Sequence, residues 1–186
     1  MKLNLGCGDN KRAGFVNCDN QAGCNPDRIV DLESFPWPFD DNVADEVVLS
    51  HVLEHLGESS KVYLGVIKEL YRVCAPDAVV HITVPHPRHD DFLTDPTHVR
   101  PILPEQFHMF SKKQTAAWRA GHFANTPLAD YLDVDFEVED VQWTIEGYWM
   151  QRLQTGEIDT GKLTELARTQ NNVLKEAKIT LRVKKG

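Results

Sequence analysis

Short apolar runs, each closed by turn residues, set the first half of the chain. Leu3 and Leu5 around Asn4, Phe15-Val16 with Cys18, Ile29-Val30, Val47-Val48-Leu49 within Ala44 to Ser50, and Val79 to Val84 are too short for helices. They read as buried strands of a mainly parallel sheet, because a sheet covered on both faces asks for continuous apolar runs. Between the last two, Val62, Val66, Leu70 and Val73 fall on one helical face, predicting a helix from Lys61 to Cys74 capped by Ser59 or Ser60. Phe35-Pro36-Trp37-Pro38-Phe39 cannot be a helix interior and reads as an extended connection. Further on, Pro104 to Phe110 predicts a short helix, and Ser111 caps another to about Ala120. Phe136 to Ile145 alternates like a strand, with a slip at Glu139-Asp140 that predicts a bulge. Leu163, Leu166, Ala167, Val173, Leu174 and Ala177 predict an amphipathic helix over Gly161 to Lys178, covering the sheet or meeting a partner chain. Thr180 to Lys184 reads as the last strand.

The first two strands carry the first chemistry. Gly6-Cys7-Gly8 turns the chain sharply after the first strand, and the second strand ends in Asp19. A glycine turn and a carboxylate at the carboxyl ends of parallel strands form a nucleoside crevice, with the acid placed for two ribose hydroxyls. A dinucleotide fits poorly. Asp9 and Asn10 stand where a phosphate-binding helix would start, and eleven positions separate Gly8 from Asp19. The dinucleotide fingerprint has about 20 and a third glycine. S-adenosylmethionine has no phosphate and carries a sulfonium, so an acid-lined, amide-rich turn suits it. Asp31-Leu32, after the short third strand, is placed to accept the adenine amino group and pack on the ring, or else to cap a turn. Ser50-His51 ends the fourth strand at the same edge.

Charge narrows the partners. The net charge is −8 over 186 residues, with four Lys/Arg against eleven Asp/Glu in residues 1–60 and seven against two in 161–186. Duplex nucleic acid, which needs a broad basic face, is an unexpected substrate. No apolar run reaches the length of a membrane span, and the first strand begins at Lys2 with no signal peptide before it, so a cytoplasmic protein without membrane contact is expected. Cys7, Cys18, Cys24 and Cys74 show neither a CxxC pair nor zinc spacing and are expected as free thiols. The length fits one domain over 1–186, with the cofactor half in 1–85 and the substrate loop, edge strands and C-terminal helix in 86–186.

Asn4-Leu5-Gly6-Cys7-Gly8, the aromatic-proline connection and Asp45 to Leu56, with its Val52-Leu53-Glu54-His55-Leu56 end, resemble class I S-adenosylmethionine-dependent methyltransferases. The likeness is to small methyltransferase-domain proteins whose fourth strand runs into such a segment, and it covers about residues 2–85. It implies an α/β, Rossmann-like fold with a mainly parallel seven-stranded sheet, an antiparallel last strand at the edge and, here, a shortened first helix. Position by position, it implies that Asn4, Gly6, Cys7 and Gly8 wall the methionine part of the cofactor. Asp19 would hold the ribose, Asp31 and Leu32 the adenine, while Ser50 and His51 would lie near the transferable methyl. Ala75-Pro76-Asp77-Ala78 replaces both glycines of the family's usual Lys-Pro-Gly-Gly turn. His55 is expected to fix its loop by hydrogen bonds rather than act as a base.

Pro85 to Phe107 follows the fifth strand and should hang over the crevice. Its His and Asp residues allow three roles. His89 or His98, oriented by Asp90 or Asp95, is a candidate base beside His51, with Asp95 and Arg100 binding the acceptor. A divalent metal held by the cluster is a second, although no ligand spacing assigns a metal residue. A rigid turn built on Asp95-Pro96 and His98 is the third. The expected activity is methyl transfer to an oxygen or nitrogen of a small-molecule or saccharide acceptor, in a chain that pairs into a homodimer if Gly147-Tyr148-Trp149-Met150 is an interface rather than a lid or part of the core. The alternative is a cofactor-binding scaffold without turnover. A nicotinamide oxidoreductase ranks third.

Overall fold

The computed structural model describes residues 1–185. Five parallel strands make its body: β1 (Lys2–Leu5), β2 (Val16–Asp19), β3 (Arg28–Ile29), β4 (Ala44–Ser50) and β5 (Cys74–Pro85). Strand β7 (Leu174–Val183), antiparallel to β5, and β6 (Phe136–Ile145), antiparallel to β7, complete a seven-stranded sheet in the order β3-β2-β1-β4-β5-β7-β6. The sequence runs out from β1 in both directions, so β1 and β4 lie side by side at the point where strand order reverses. In open α/β sheets, that point is where the crevice forms.

Helix α1 (Ser60–Val73) starts where Ser59 accepts from the Val62 N–H, and it buries Val66, Ile67, Leu70 and Val73 against the sheet. Downstream lie α2 (Asp90–Leu93), α3 (Lys112–Ala120), α4 (Leu128–Leu132), α5 (Gly147–Gln154) and α6 (Thr160–Thr169). Pro104–Phe110 is a 3₁₀ helix, and Ser111 caps α3 by accepting from Gln114 N–H. Between β1 and β2 the chain makes turns and no helix. Asp77, at the first of the two replaced glycines, takes a left-handed φ of 59°. Aspartate tolerates that region better than most residues, so the turn survives the loss of glycine.

Two expectations need correction. The helix predicted over Gly161 to Lys178 stops at Thr169, and the chain from Leu174 is strand. Asn172 breaks the run with a φ of 57°, and Ala177, Ile179, Leu181 and Val183 then alternate inward. The last strand is antiparallel as expected but sits inside the sheet between β5 and β6, so β6 is the edge. The predicted bulge falls between Val138 and Asp140. The main core lies on the two sheet faces, and a second apolar cluster, Ile158, Leu163, Leu166 and Val173, sits under α6. Trp149 donates its indole N–H to Asn172 O at 2.9 Å, while Tyr148 beside it remains 60% exposed. All four cysteines are free.

Candidate active site

The turn after β1 is shaped by one close approach and one open space. Gly6 has φ +65°, and a Cβ there would meet Val52 Cγ2 at 2.5 Å, so only glycine lets the β1 and β4 ends come together. Gly8 has φ +48°, and a Cβ there would meet nothing within 4 Å. The turn is fixed from beneath: buried Asn4 donates to Asn10 O at 3.0 Å and Asn17 Oδ1 at 2.9 Å, and Cys7 N–H donates to Cys18 O at 2.9 Å. Burial pushes the Cys7 thiol above its ordinary pKa, which keeps it protonated.

Two cavities open at this edge. One, of about 290 Å³, is lined by Gly6, Asp19, Val30, Asp31, Leu32, Glu33, His51 and His55, among others. The other, of about 510 Å³, is lined by Asn4, Gly6, Cys7, Gly8, Ser50 and His51 with the Asn10 to Arg12 turn. They share Gly6 and His51. Every residue expected around the cofactor therefore lines one or both. Asp19 accepts from Gly8 N–H at 2.8 Å and from Gln21 N–H at 2.9 Å, which aims its carboxylate while leaving lone pairs for hydroxyls. Asp31 accepts from the Ser34 hydroxyl at 2.6 Å and the Glu33 N–H at 2.9 Å; these bonds hold its carboxyl below the usual range and ionised. Its turn-capping bonds and its place on the cavity wall are both present. Gly57 is tied down by donating its N–H to Glu33 Oε1 at 2.6 Å.

His51 stands where the two cavities meet, with a left-handed φ of 56° directly after β4. Its Nδ1 lies 3.3 Å from Glu54 Oε1 and its Nε2 3.4 Å from Glu176 Oε2 on β7. Glu54 foremost, then Glu176, raises the imidazole pKa above its ordinary value against the opposing effect of burial. Neither acid was a candidate from the sequence. Glu54 lies among apolar neighbours in the Leu53–His55 3₁₀ turn, and Glu176 belongs to a stretch predicted as helix.

The loop after β5 divides the remaining candidates. His98 lines neither cavity but packs behind its wall: its ring meets that of cavity-lining His55 edge-on with centroids 4.6 Å apart, and Val99 and Arg100 N–H groups donate to Glu54 O at 2.9 and 3.1 Å. Asp95 closes a turn by accepting from the Thr97 N–H and hydroxyl at 2.8 and 2.6 Å, and lies 3.7 Å from His98 Nε2. His89 goes elsewhere. It is 5% exposed, its Nδ1 accepts from Asp91 N–H at 3.1 Å, its Nε2 lies 3.1 Å from Glu146 Oε2, and it lines neither cavity. Both ring nitrogens are engaged in pinning α2 to the end of β6, so the structure supplies no path from His89 to an acceptor. Arg100 also turns inward, donating to Gly57 O at 2.7 Å with its guanidinium 4.3 Å over the Tyr63 ring. That contact braces the start of α1 and turns the Arg100 guanidinium away from the crevice.

Residues 10–82 match the family described as "Methyltransferase domain". No curated protein matches the sequence significantly. Among solved structures, a SAM dependent methyltransferase from Archaeoglobus fulgidus is similar over 97% of this chain and 85% of its own, at 17% identity and a TM-score of 0.64. A SAM-dependent methyltransferase from Methanosarcina mazei is similar over 99% and 92%, at 15% identity and a TM-score of 0.54. The (4+2)-cyclase SpnF is similar over 100% and 75%, at 16% identity and a TM-score of 0.56. At these identities the structures speak for the fold, and the matched domain speaks for the cofactor half. No helix among the described residues is long and apolar enough to cross a membrane. The residues present fit S-adenosylmethionine: Gly8 leaves its space open, Asp19 lines the cavity with a carboxylate suited to hydroxyls, and Val30 and Leu32 give that cavity an apolar wall suited to a base. Fold, crevice and domain match agree: residues 10–82 match a methyltransferase domain, and the whole chain has the Rossmann-like fold of class I S-adenosylmethionine-dependent methyltransferases.

Proposed function

We propose that the chain transfers the methyl group to an oxygen or nitrogen of a small-molecule or saccharide acceptor, with His51 as the residue that takes the acceptor's proton. The observation that carries this is the position of His51 at the junction of the two cavities, held from both sides by Glu54 and Glu176. The cofactor supplies an electrophilic methyl carbon on sulfur and departs as S-adenosylhomocysteine. Asp19 holds the ribose and Asp31 with Leu32 the adenine, while Gly6, Cys7, Gly8, Asn4 and Ser50 enclose the remainder. His51 removes the proton as the acceptor's lone pair attacks in line, and the two glutamates keep the imidazole in place and stabilise the charge it gains. His98, Asp95 and Arg100 act on the loop that borders the acceptor's entry. The acidic first sixty residues support a non-nucleic-acid acceptor. The fold itself leaves the acceptor open, since a cyclase shares it.

Calorimetric titration with S-adenosylmethionine and S-adenosylhomocysteine tests the crevice. Asp19→Asn should weaken both at least tenfold, about 1.4 kcal/mol. His51→Asn keeps a residue that tolerates the left-handed backbone but removes the base. It should retain cofactor affinity and lower turnover on an acceptor panel by about 10²-fold or more. Unchanged turnover would remove His51 from the chemistry, and absence of cofactor binding in the unaltered chain would overturn the assignment of the crevice.

A further inference from the structure

Glu54 presents a problem that the cofactor crevice does not resolve. The residue is fully buried, yet neither carboxylate oxygen accepts a hydrogen bond; the 3.3 Å approach of His51 Nδ1 is a charge contact that lacks the geometry of one. A buried carboxylate with no donor and only the 3.3 Å charge contact of half-exposed His51 is under-compensated, so a further positive partner is called for.

Two neighbours have the complementary feature. The Thr97 hydroxyl gives its proton to Asp95 Oδ1 at 2.6 Å and so accepts from His55 Nδ1 at 2.9 Å. His98 Nδ1 is 2.9 Å from Phe92 O, an atom that can only accept. Both imidazoles are thereby set with the proton on Nδ1 and a lone pair on Nε2. A ring held through Nδ1 by an outer carbonyl or a carboxylate-backed hydroxyl is the arrangement that prepares histidine to bind a cation. One ligand-capable atom from each of Glu54, His55 and His98 lies within 4.8 Å of the other two. Donors sharing one cation at about 2.1 Å stand roughly 3–4 Å apart, so modest side-chain rotation closes the set.

We propose that Glu54, His55 and His98 bind a divalent first-row transition-metal cation at the wall of the crevice. Two imidazoles and one carboxylate favour manganese, iron, cobalt, nickel or zinc over magnesium and calcium, which prefer oxygen. Three protein ligands leave positions open, and His55 faces the cavity that also contains His51. The open position takes the hydroxyl oxygen of the acceptor, a step that rests on the methyl-transfer function proposed above and narrows its acceptor to an alcohol or phenol. The bound hydroxyl loses its proton to His51, its oxygen forms a bond to the methyl carbon, and the carbon–sulfur bond breaks with its electron pair going to sulfur. The ligands come from both sides of the loop boundary, two from the 3₁₀ turn after β4 and one from the loop after β5.

Purified full-length chain, stripped with chelator and dialysed, is titrated with cobalt(II) followed by visible absorption, and the same samples are titrated calorimetrically with S-adenosylmethionine. One cobalt per chain is expected, with ligand-field bands of a low-coordinate site, and affinity should fall at least tenfold in His98→Gln and separately in His55→Gln. Melting curves of each variant show that it is folded. No cobalt binding by the unaltered chain, or equal binding by both folded variants, overturns the metal site. If S-adenosylmethionine still binds in that case, the crevice assignment stands and only the metal falls. Failure of S-adenosylmethionine to bind a cobalt-loaded chain overturns the crevice and leaves the metal site in place.

Discussion

Glu54 and Glu69 are the same side chain at similar depth, and the fold treats them in opposite ways. Glu69 on α1 accepts from Trp37 N–H at 2.7 Å and Arg72 Nη2 at 2.8 Å on one oxygen, and from Arg72 Nε at 2.9 Å on the other. Glu54 has no donor on either oxygen. Arg72 also reaches Trp37 O, Phe39 O and Asp41, so Glu69 is the centre of a clasp that holds the aromatic-proline connection to α1. That carboxylate is saturated and builds the fold. Glu54 has no hydrogen-bond donor and lies behind His51 and His55, which line the crevice. For buried acids, then, the number of donors separates the fold-building residue from the site-building one better than burial does.

The sharpest way to break this contrast is at Glu69. Glu69→Gln turns an amide NH₂ toward the guanidinium and leaves Arg72 short of its partner. Removing one member of a buried ion pair costs about 3–5 kcal/mol, and because Arg72 is partly exposed the loss here should be about 2–3 kcal/mol. For a chain of this length that is a fall in melting temperature of roughly 4–12 °C. S-adenosylmethionine affinity should not change. A fall of under about 1 °C, by thermal unfolding, would mean that the backbone carbonyl bonds of Arg72 hold the connection unaided.

A smaller effect follows with pH. The hydrogen bonds from Arg72, and after them the Trp37 N–H, hold the Glu69 carboxyl below its ordinary range. A depressed carboxyl contributes stability that is fully present above the unfolded value of about 4.3 and is lost as pH falls through the lower folded value. The stability gap between the unaltered chain and Glu69→Gln should therefore be constant from neutral pH to about pH 5 and narrow below about pH 4.3. Urea unfolding at a series of pH values measures it, and a gap that widens in acid would show that the bonds do not depend on the charge of Glu69.

The same contrast explains what the sequence made legible. β1 to β5, the glycine turn and capped α1 are announced by local signals: run length, Gly6 and Gly8, and Ser59. The residues that line the two cavities followed, because they sit at strand ends. Gly161 to Lys178 was misread because Val173 and Ala177, four apart, satisfy helical and strand periods alike; only Ile179, Leu181 and Val183 settle the period, and they lie beyond that stretch. His89 looked equal to His98 because composition does not say which ring nitrogens are taken, and Glu146, which takes one, is far along the chain. Glu54 carried no signal at all. A missing donor is a property of three-dimensional surroundings.

The least effect on stability should come from Glu54 itself. Glu54→Met keeps length and volume while removing a charge that has no hydrogen-bond donor to lose. Removing a buried carboxylate that accepts no hydrogen bond relieves its desolvation cost, and the His51 it leaves is half exposed and can be solvated. In chelator-dialysed protein, Glu54→Met should unfold within about 0.5 kcal/mol of the unaltered chain, or be more stable by about 1 kcal/mol, as expected where a site is maintained against stability. Cobalt binding should nevertheless be lost. Chemical unfolding of the two proteins under identical conditions decides it: a loss of about 2 kcal/mol or more would show that Glu54 is already compensated in the folded chain, and the contrast with Glu69 would then be one of degree.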